Sequence, residues 1–114
     1  MPKPAVEFTP IDSVDFTDMV PYVEGVSQAV LAEDPQTGAV TRVLKFAPGA
    51  DTSAQGVQVH DCWEELFIFE GSITDLRLNR TFRAGDWATR PPGMEHGPWI
   101  SERGAKMFEV RYYE

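Results

Sequence analysis

QVHDCWEELFIFEG (residues 58–71) and GDWATRPPGMEH (residues 85–96) hold both histidines of this 114-residue chain. Side chains alternate along a strand, so Gln58 and His60 fall on one face as two candidate metal ligands. Glu64 follows four residues later. Fully extended, four residues span about 13 Å, whereas donors to one ion lie about 3 Å apart. Asp61-Cys62-Trp63 must therefore turn the chain for Glu64 to return beside His60. Beyond it, Glu64, Leu66 and Ile68 share one face and Phe67 and Phe69 the other, until Gly71 ends the run. In the second stretch a turn at Gly85, a proline stop at Pro91 and another glycine turn at Gly93 lead to His96.

The surroundings of these stretches read as strands. VSQAVLAE and AVTRVLKFA flank DPQTG, whose proline and glycine supply turn dihedrals. GVQVH, EELFIFEG, SITDLRLN, TFRAGDWATR and KMFEVRYY follow at roughly ten-residue intervals, rich in β-branched and aromatic residues and without a 3.6-residue apolar period. That pattern predicts an all-β sandwich or barrel. Residues 1–24 differ: Pro2, Pro4, Pro10 and Pro21 favour an extended segment that pairs at an edge at most, and Asp12, Asp15 and Asp18 read as a solvated acidic face. The expected division is an extended segment, 1–24, that covers the barrel or a dimer contact, and a barrel, 25–114.

Composition narrows the function classes. Ten Lys+Arg against eighteen Asp+Glu give a net charge of −8, which repels phosphate backbones and anionic lipid, so neither nucleic acid nor membrane is an expected partner. One cysteine forms no internal disulfide. MPKPAVEFTPIDS has no apolar run of signal-peptide length, and the expectation is a cytoplasmic protein. The sequence contains no P-loop, dinucleotide fingerprint or Gly-x-Ser-x-Gly elbow.

The two opening stretches resemble the paired motifs of the cupin superfamily. Its first motif, His-x-His, three or four residues, Glu, six residues, Gly, is matched by Gln58, His60, Glu64 and Gly71. Its second, Gly, five residues, Pro-x-Gly, two residues, His, is matched by Gly85, Pro91, Gly93 and His96. LAEDPQTGAVTRVLKFAPGAD, WEELFIFEGSITD and RPPGMEHGPW are further similar to small cupins near the acetylacetone-cleaving dioxygenases and to the anti-sigma-factor cupin domain. The resemblance spans about residues 26–113 and implies a single-domain double-stranded β-helix, a jelly-roll-like barrel. It also implies one divalent transition metal on His60, Glu64 and His96. Gln58 stands where the family usually has histidine, and its amide oxygen is a harder, weaker donor that favours iron or manganese, with nickel and zinc as alternatives. The competing reading is a decayed site in which Gln58 is hydrogen-bonded and no metal is held.

Other residues have two readings each. Cys62 is expected to pack or sit at the rim rather than ligate. Phe67 and Phe69, if outward, form a stripe that needs covering, which points to a homodimer. Trp63, Phe67, Phe69, Trp87 and Trp99 are core, contact or pocket residues, with Trp99 the best candidate for the pocket mouth. On the last strand Phe108, Val110 and Tyr112 are expected to face the core. Glu109 and Arg111 are then a surface ion pair or, alternatively, pocket-lining groups that hold a substrate. Arg77, Arg80 and Arg83 read as solvated. The function expected from residues and resemblance together is a metal-dependent cupin enzyme on a small oxygenated molecule, with dioxygenase cleavage of a dicarbonyl carbon–carbon bond as the leading reaction. The alternatives are a non-catalytic small-molecule-binding or sensor cupin, and a metal-dependent isomerase or lyase.

Overall fold

The β-branched and aromatic runs become strands in the computed structural model, which describes residues 3–114; Met1 and Pro2, part of the expected extended segment, lie outside the described residues. In chain order the strands are β1 (Thr17–Asp18), β2 (Val26–Glu33), β3 (Val40–Phe46), β4 (Ala50–Asp51), β5 (Trp63–Asp75), β6 (Arg80–Arg83), β7 (Trp87–Arg90), β8 (Trp99–Ser101) and β9 (Ala105–Tyr112). They form a curled antiparallel sheet ordered β1-β2-β3-β9-β5-β8-β4, with β6 and β7 also paired to β5. The all-β expectation holds.

β5 organises the whole. Its first half pairs with β9 on one side and β7 on the other, and its second half with β8 and β6. Two strands were expected here, broken at Gly71. Instead one 13-residue strand runs through, with a bulge between Ile68 and Glu70 that lets it bend without ending. Gly71 sits at that bend with φ +73, and a Cβ there would lie 2.0 Å from the Gly104 carbonyl oxygen. Its glycine is required twice over, by backbone conformation and by close approach. Three further expectations are corrected. GVQVH is not a strand: Gly56 breaks it at φ +68, and only Gln58 bridges, to His96. SITDLRLN turns at Leu76–Asn79 instead of continuing. TFRAGDWATR is split into β6 and β7 by the Gly85 turn.

Cross-strand register grades the interior from charged to apolar. Arg90, Glu64 and Arg111 stand abreast on β7, β5 and β9; Leu66, Glu109 and Arg42 follow; Ile68, Met107 and Leu44 come next. Below them Phe46, Ala105, Ile73, Val26, Ala50 and Trp99 complete the apolar cluster. The reading of β9 is therefore reversed. Met107 and Glu109 are buried at 3 % and 1 % exposure, whereas Phe108, expected in the core, is 39 % exposed on the outer face. Pure apolarity misassigned the faces because Glu109 is neutralised by Arg42 inside.

The outer face carries Ala29, Val43, Phe108, Phe67 and Trp87 abreast. The N-terminal segment passes over one end of it. Residues 3–14, with a short 3-10 turn at Ile11–Ser13, form one wall of a groove whose other wall includes Val30, Val43, Phe69 and Phe108. β1 adds the expected edge pairing to β2, and Asp12, Asp15 and Asp18 are exposed. No helix among the described residues is long and apolar enough to cross a membrane.

A Gly71→Ala substitution should cost about 2 kcal/mol or more, because both the positive φ and the Gly104 contact must give way. Urea denaturation checks this: the midpoint should drop well below that of a Gly85→Ala control, whose added Cβ meets nothing within 4 Å.

Candidate metal centre

Backbone hydrogen bonds stitch the two motif stretches together. Gln58 and His96 exchange N–H···O bonds of 2.7 and 3.0 Å, and the Gly93 amide donates to the His60 carbonyl at 2.9 Å. The loop Asp61-Cys62 then turns into β5, as the spacing required, and delivers Glu64 to the same place. His60, Glu64 and His96 offer ligand atoms that all lie within 4.8 Å of one another. Glu64 Oε1 is 3.6 Å from His96 Nε2 and 3.8 Å from His60 Nε2, and the two rings are 4.8 Å apart between centroids. Atoms bound to one ion at about 2.1 Å lie about 3 Å apart, so small side-chain adjustments would close the set.

The protonation chemistry fits an ion. His96 Nδ1 lies 3.2 Å from the Met94 carbonyl; donating there leaves Nε2 as the lone pair aimed at Glu64. Burial, reinforced by the nearby Arg90 guanidinium, pushes His96 down to about 4. His60 is lowered by burial and then by Arg111. Both imidazoles are thus neutral near pH 7, the form that ligates. Two imidazoles and one carboxylate with open positions form the donor set of non-haem iron sites.

Charged groups surround Glu64, itself 3 % exposed. Arg111 Nη2 donates to Glu64 Oε2 at 3.3 Å, and its Nε lies 3.3 Å from Glu109 Oε1, off hydrogen-bonding angle. Arg42 pairs with Glu109 through its Nε and reaches Gln28 Oε1 at 2.7 Å. Burial and contact with the Glu64 carboxylate raise the pKa of Glu109, against the opposing pull of Arg42 and Arg111. Glu109 and Arg111 therefore face the interior rather than forming a surface ion pair.

A cavity of about 150 Å³ opens over this cluster, lined by Gln58, His60, Glu64, His96, Trp99, Glu109 and Arg111 among others. The Gln58 side-chain nitrogen donates to the Gln55 carbonyl at 3.0 Å, leaving the amide oxygen as its free acceptor. Trp99 is 8 % exposed and part of the apolar cluster as well as of the cavity wall. Cys62 is buried outside the ligand group, and burial raises its pKa, which makes it an unreactive thiol. Two contributors escaped the sequence reading. Arg42 was hidden in VTRVLKF, where Lys45 is a second cation, and Arg90 directly precedes the proline pair. Their common signal is an arginine at an inward position of an alternating strand, which register alone reveals.

The fold and the donor set together define a cupin. More narrowly, the chain matches the ChrR cupin-like domain family over residues 7–112 and belongs to it. No curated protein matches the sequence significantly. Solved structures with the same fold include an RmlC-like cupin from Shewanella frigidimarina (TM-score 0.73, 17 % identity, covering 100 % of this chain and 96 % of that one). An acetylacetone dioxygenase from Acinetobacter johnsonii superposes with TM-score 0.75 at 16 % identity, over 96 % of this chain and 75 % of that one. The Rhodobacter sphaeroides SigE complex with the anti-sigma ChrR gives TM-score 0.66 at 21 % identity, covering 89 % of this chain and 51 % of that one.

Metal-free protein should lose stability as the pH falls from about 6.5 toward about 4. The folded pKa of His96 lies below its unfolded value, so the unfolded chain binds the extra proton in that window and the stabilisation present above it disappears. By pH 5 the loss should be on the order of 1–2 kcal/mol. Urea titrations across pH 7.5 to 5 check it: the slope should be steeper in the wild type than in His96→Gln.

Proposed function

We propose that the protein is a metal-dependent cupin enzyme acting on a small oxygenated molecule. The observation that carries this reading is the convergence of His60, Glu64 and His96 within 4.8 Å at a cavity floor. Gln58 is proposed as a fourth, amide-oxygen donor, which favours iron or manganese. When bound, such an ion supplies Lewis acidity to a substrate that offers two oxygens, as a 1,3-dicarbonyl does in its enolate form. The chain's own residues do the rest. Arg111 holds the Glu64 carboxylate in one orientation, and Arg42 offsets the charge of Glu109 behind it; the Met94 carbonyl fixes the His96 tautomer; Trp99 and the apolar wall keep bulk water off the reacting molecule. The similarity to an acetylacetone dioxygenase supports carbon–carbon cleavage with dioxygen as the reaction class.

A second reading, a non-catalytic sensor or binding cupin, is favoured by membership in the ChrR cupin-like family and by the anti-sigma complex among the solved relatives. A metal-dependent isomerase or lyase uses the same ligands. Elemental analysis with oxygen-uptake screening over small 1,3-diketones separates them: the enzyme reading predicts near one transition metal per chain and substrate-dependent oxygen uptake. His96→Ala should retain less than about a tenth of the metal, since one imidazole, a carboxylate and an amide are too few strong donors. Full occupancy in that variant would contradict the site.

We also propose that the chain works as a homodimer in the cytoplasm, paired through the outer sheet face beside the N-terminal segment 1–24. Phe67, Phe69, Phe108 and Trp87 are exposed there at 47, 38, 39 and 75 %, an apolar patch that soluble monomers seldom leave open. Light scattering after size exclusion should give twice the chain mass for the wild type and the monomer mass for Phe67→Glu. A monomeric wild type would refute the pairing.

A further inference from the structure

A second cavity, of about 140 Å³, adjoins the metal-site cavity and shares Leu66, Ile73, Arg90, His96, Trp99 and Met107 with it. Ile68 and Phe82 extend its apolar wall. Arg90 stands where the two meet. It lies abreast of Glu64 across the β7–β5 pairing, and its guanidinium carbon sits 5.3 Å over the Trp99 ring. That ring is held in place, because the Trp99 amide donates to Thr52 Oγ1 at 2.8 Å and the residue belongs to the apolar cluster.

Most of the neighbouring charged groups have partners; the exposed Glu95 carboxylate, which also lines the cavity, has none among the described residues. Arg42 is paired with Glu109, and Arg111 with Glu64 and Glu109. The Asp75 carboxylate, 1 % exposed, accepts the amides of Leu78 and Gly97. Arg77 donates to the Glu95 carbonyl, and Asp86 accepts the Arg83 amide. Among the described residues Arg90 has no carboxylate within 4.0 Å and no hydrogen-bond acceptor, although it is half-buried. A half-buried guanidinium with no protein acceptor is free to take an anion delivered by a ligand through two parallel N–H···O bonds.

We infer that Arg90 is an anion subsite: the ligand is a small monoanion, a carboxylate or an enolate, whose charged oxygens sit on Arg90 while a short apolar tail fills the second cavity. The inference narrows the substrate class of the proposed function and rests on that reading for the role of the site. Its own chemistry needs no metal. The Trp99 ring beside the guanidinium makes a cation–π contact, and the planar N–H fork can take a carboxylate or enolate through two parallel hydrogen bonds.

The test uses 4-methylpentanoate and its neutral isostere 4-methylpentanamide, titrated calorimetrically into metal-free and iron-loaded protein. In metal-free protein the acid should bind at least tenfold tighter than the amide. Arg90→Gln should remove that preference while leaving the amide affinity of the metal-free protein as in the wild type, and Arg90→Lys should restore part of it. Equal affinity for acid and amide in the metal-free wild type, a preference that survives Arg90→Gln, or binding of neither compound at millimolar concentration would overturn the inference. Metal content, measured on the same samples, reports separately: a chain that binds the acid through Arg90 but no metal leaves the anion subsite standing and removes the enzyme reading.

Discussion

A carboxylate buried at 3 % exposure, Glu64, is the constraint on which the interior depends. Taking such a group out of water costs several kcal/mol unless opposite charge and hydrogen bonds replace the hydration. Arg111 supplies one donor, and the two imidazole Nε2 atoms stand within 4 Å of its other oxygen. Those imidazoles are held neutral by burial, so they do not neutralise Glu64 as cations; His96, with Nδ1 on the Met94 carbonyl, offers its Nε2 lone pair beside it. A buried carboxylate facing two neutral imidazoles is a poor arrangement for a stable empty core and a good one for a divalent ion. That asymmetry is the physical case for a metal centre.

The rest of the barrel is arranged to make this affordable. Glu109 lies one register row below Glu64 and would repel it, and its raised pKa reflects both burial and that proximity. Arg42 and Arg111 offset the repulsion from two different strands. Deeper still the charge ends and Ile68, Met107 and Leu44 begin the apolar cluster. The strands that hold these residues are paired over long stretches, β5 with β9 and β9 with β3. A shift of one residue in any of them would send that strand's inward charges to the outer face. Register thus specifies the site as strictly as the site residues themselves do.

Much of this was legible in the sequence. The spacing of His60, Glu64 and His96, together with the Gly85, Pro91 and Gly93 turn signals, pointed to the fold and to the His-Glu-His group that the structure brings together, because metal geometry and turn chemistry leave local marks. Alternation along β5 placed Phe67 and Phe69 outside correctly. What failed was anything that needed a partner strand. In the sequence Glu109 and Arg111 stay open between a surface pair and pocket-lining groups, because a charged pair two residues apart on a terminal strand is usually solvated; it is Arg42, some seventy residues earlier, that makes the interior position tolerable. The strand break expected at Gly71 did not occur because a bulge and the close approach of Gly104 turn the glycine into a bend. Gln58 sits on an irregular stretch that is fixed by its backbone bridge to His96, a contact no local pattern announces.

The most direct test of the metal centre uses the fact that the chain holds only two histidines. Nitrogen NMR of histidine-labelled protein, recorded without metal and with one equivalent of zinc as a diamagnetic substitute, reads both imidazoles at once. The account predicts that the Nε2 signals of His60 and His96 both move to metal-bound positions in step with the first equivalent, while His96 Nδ1 stays protonated. Movement of only one imidazole, or of neither, would contradict it.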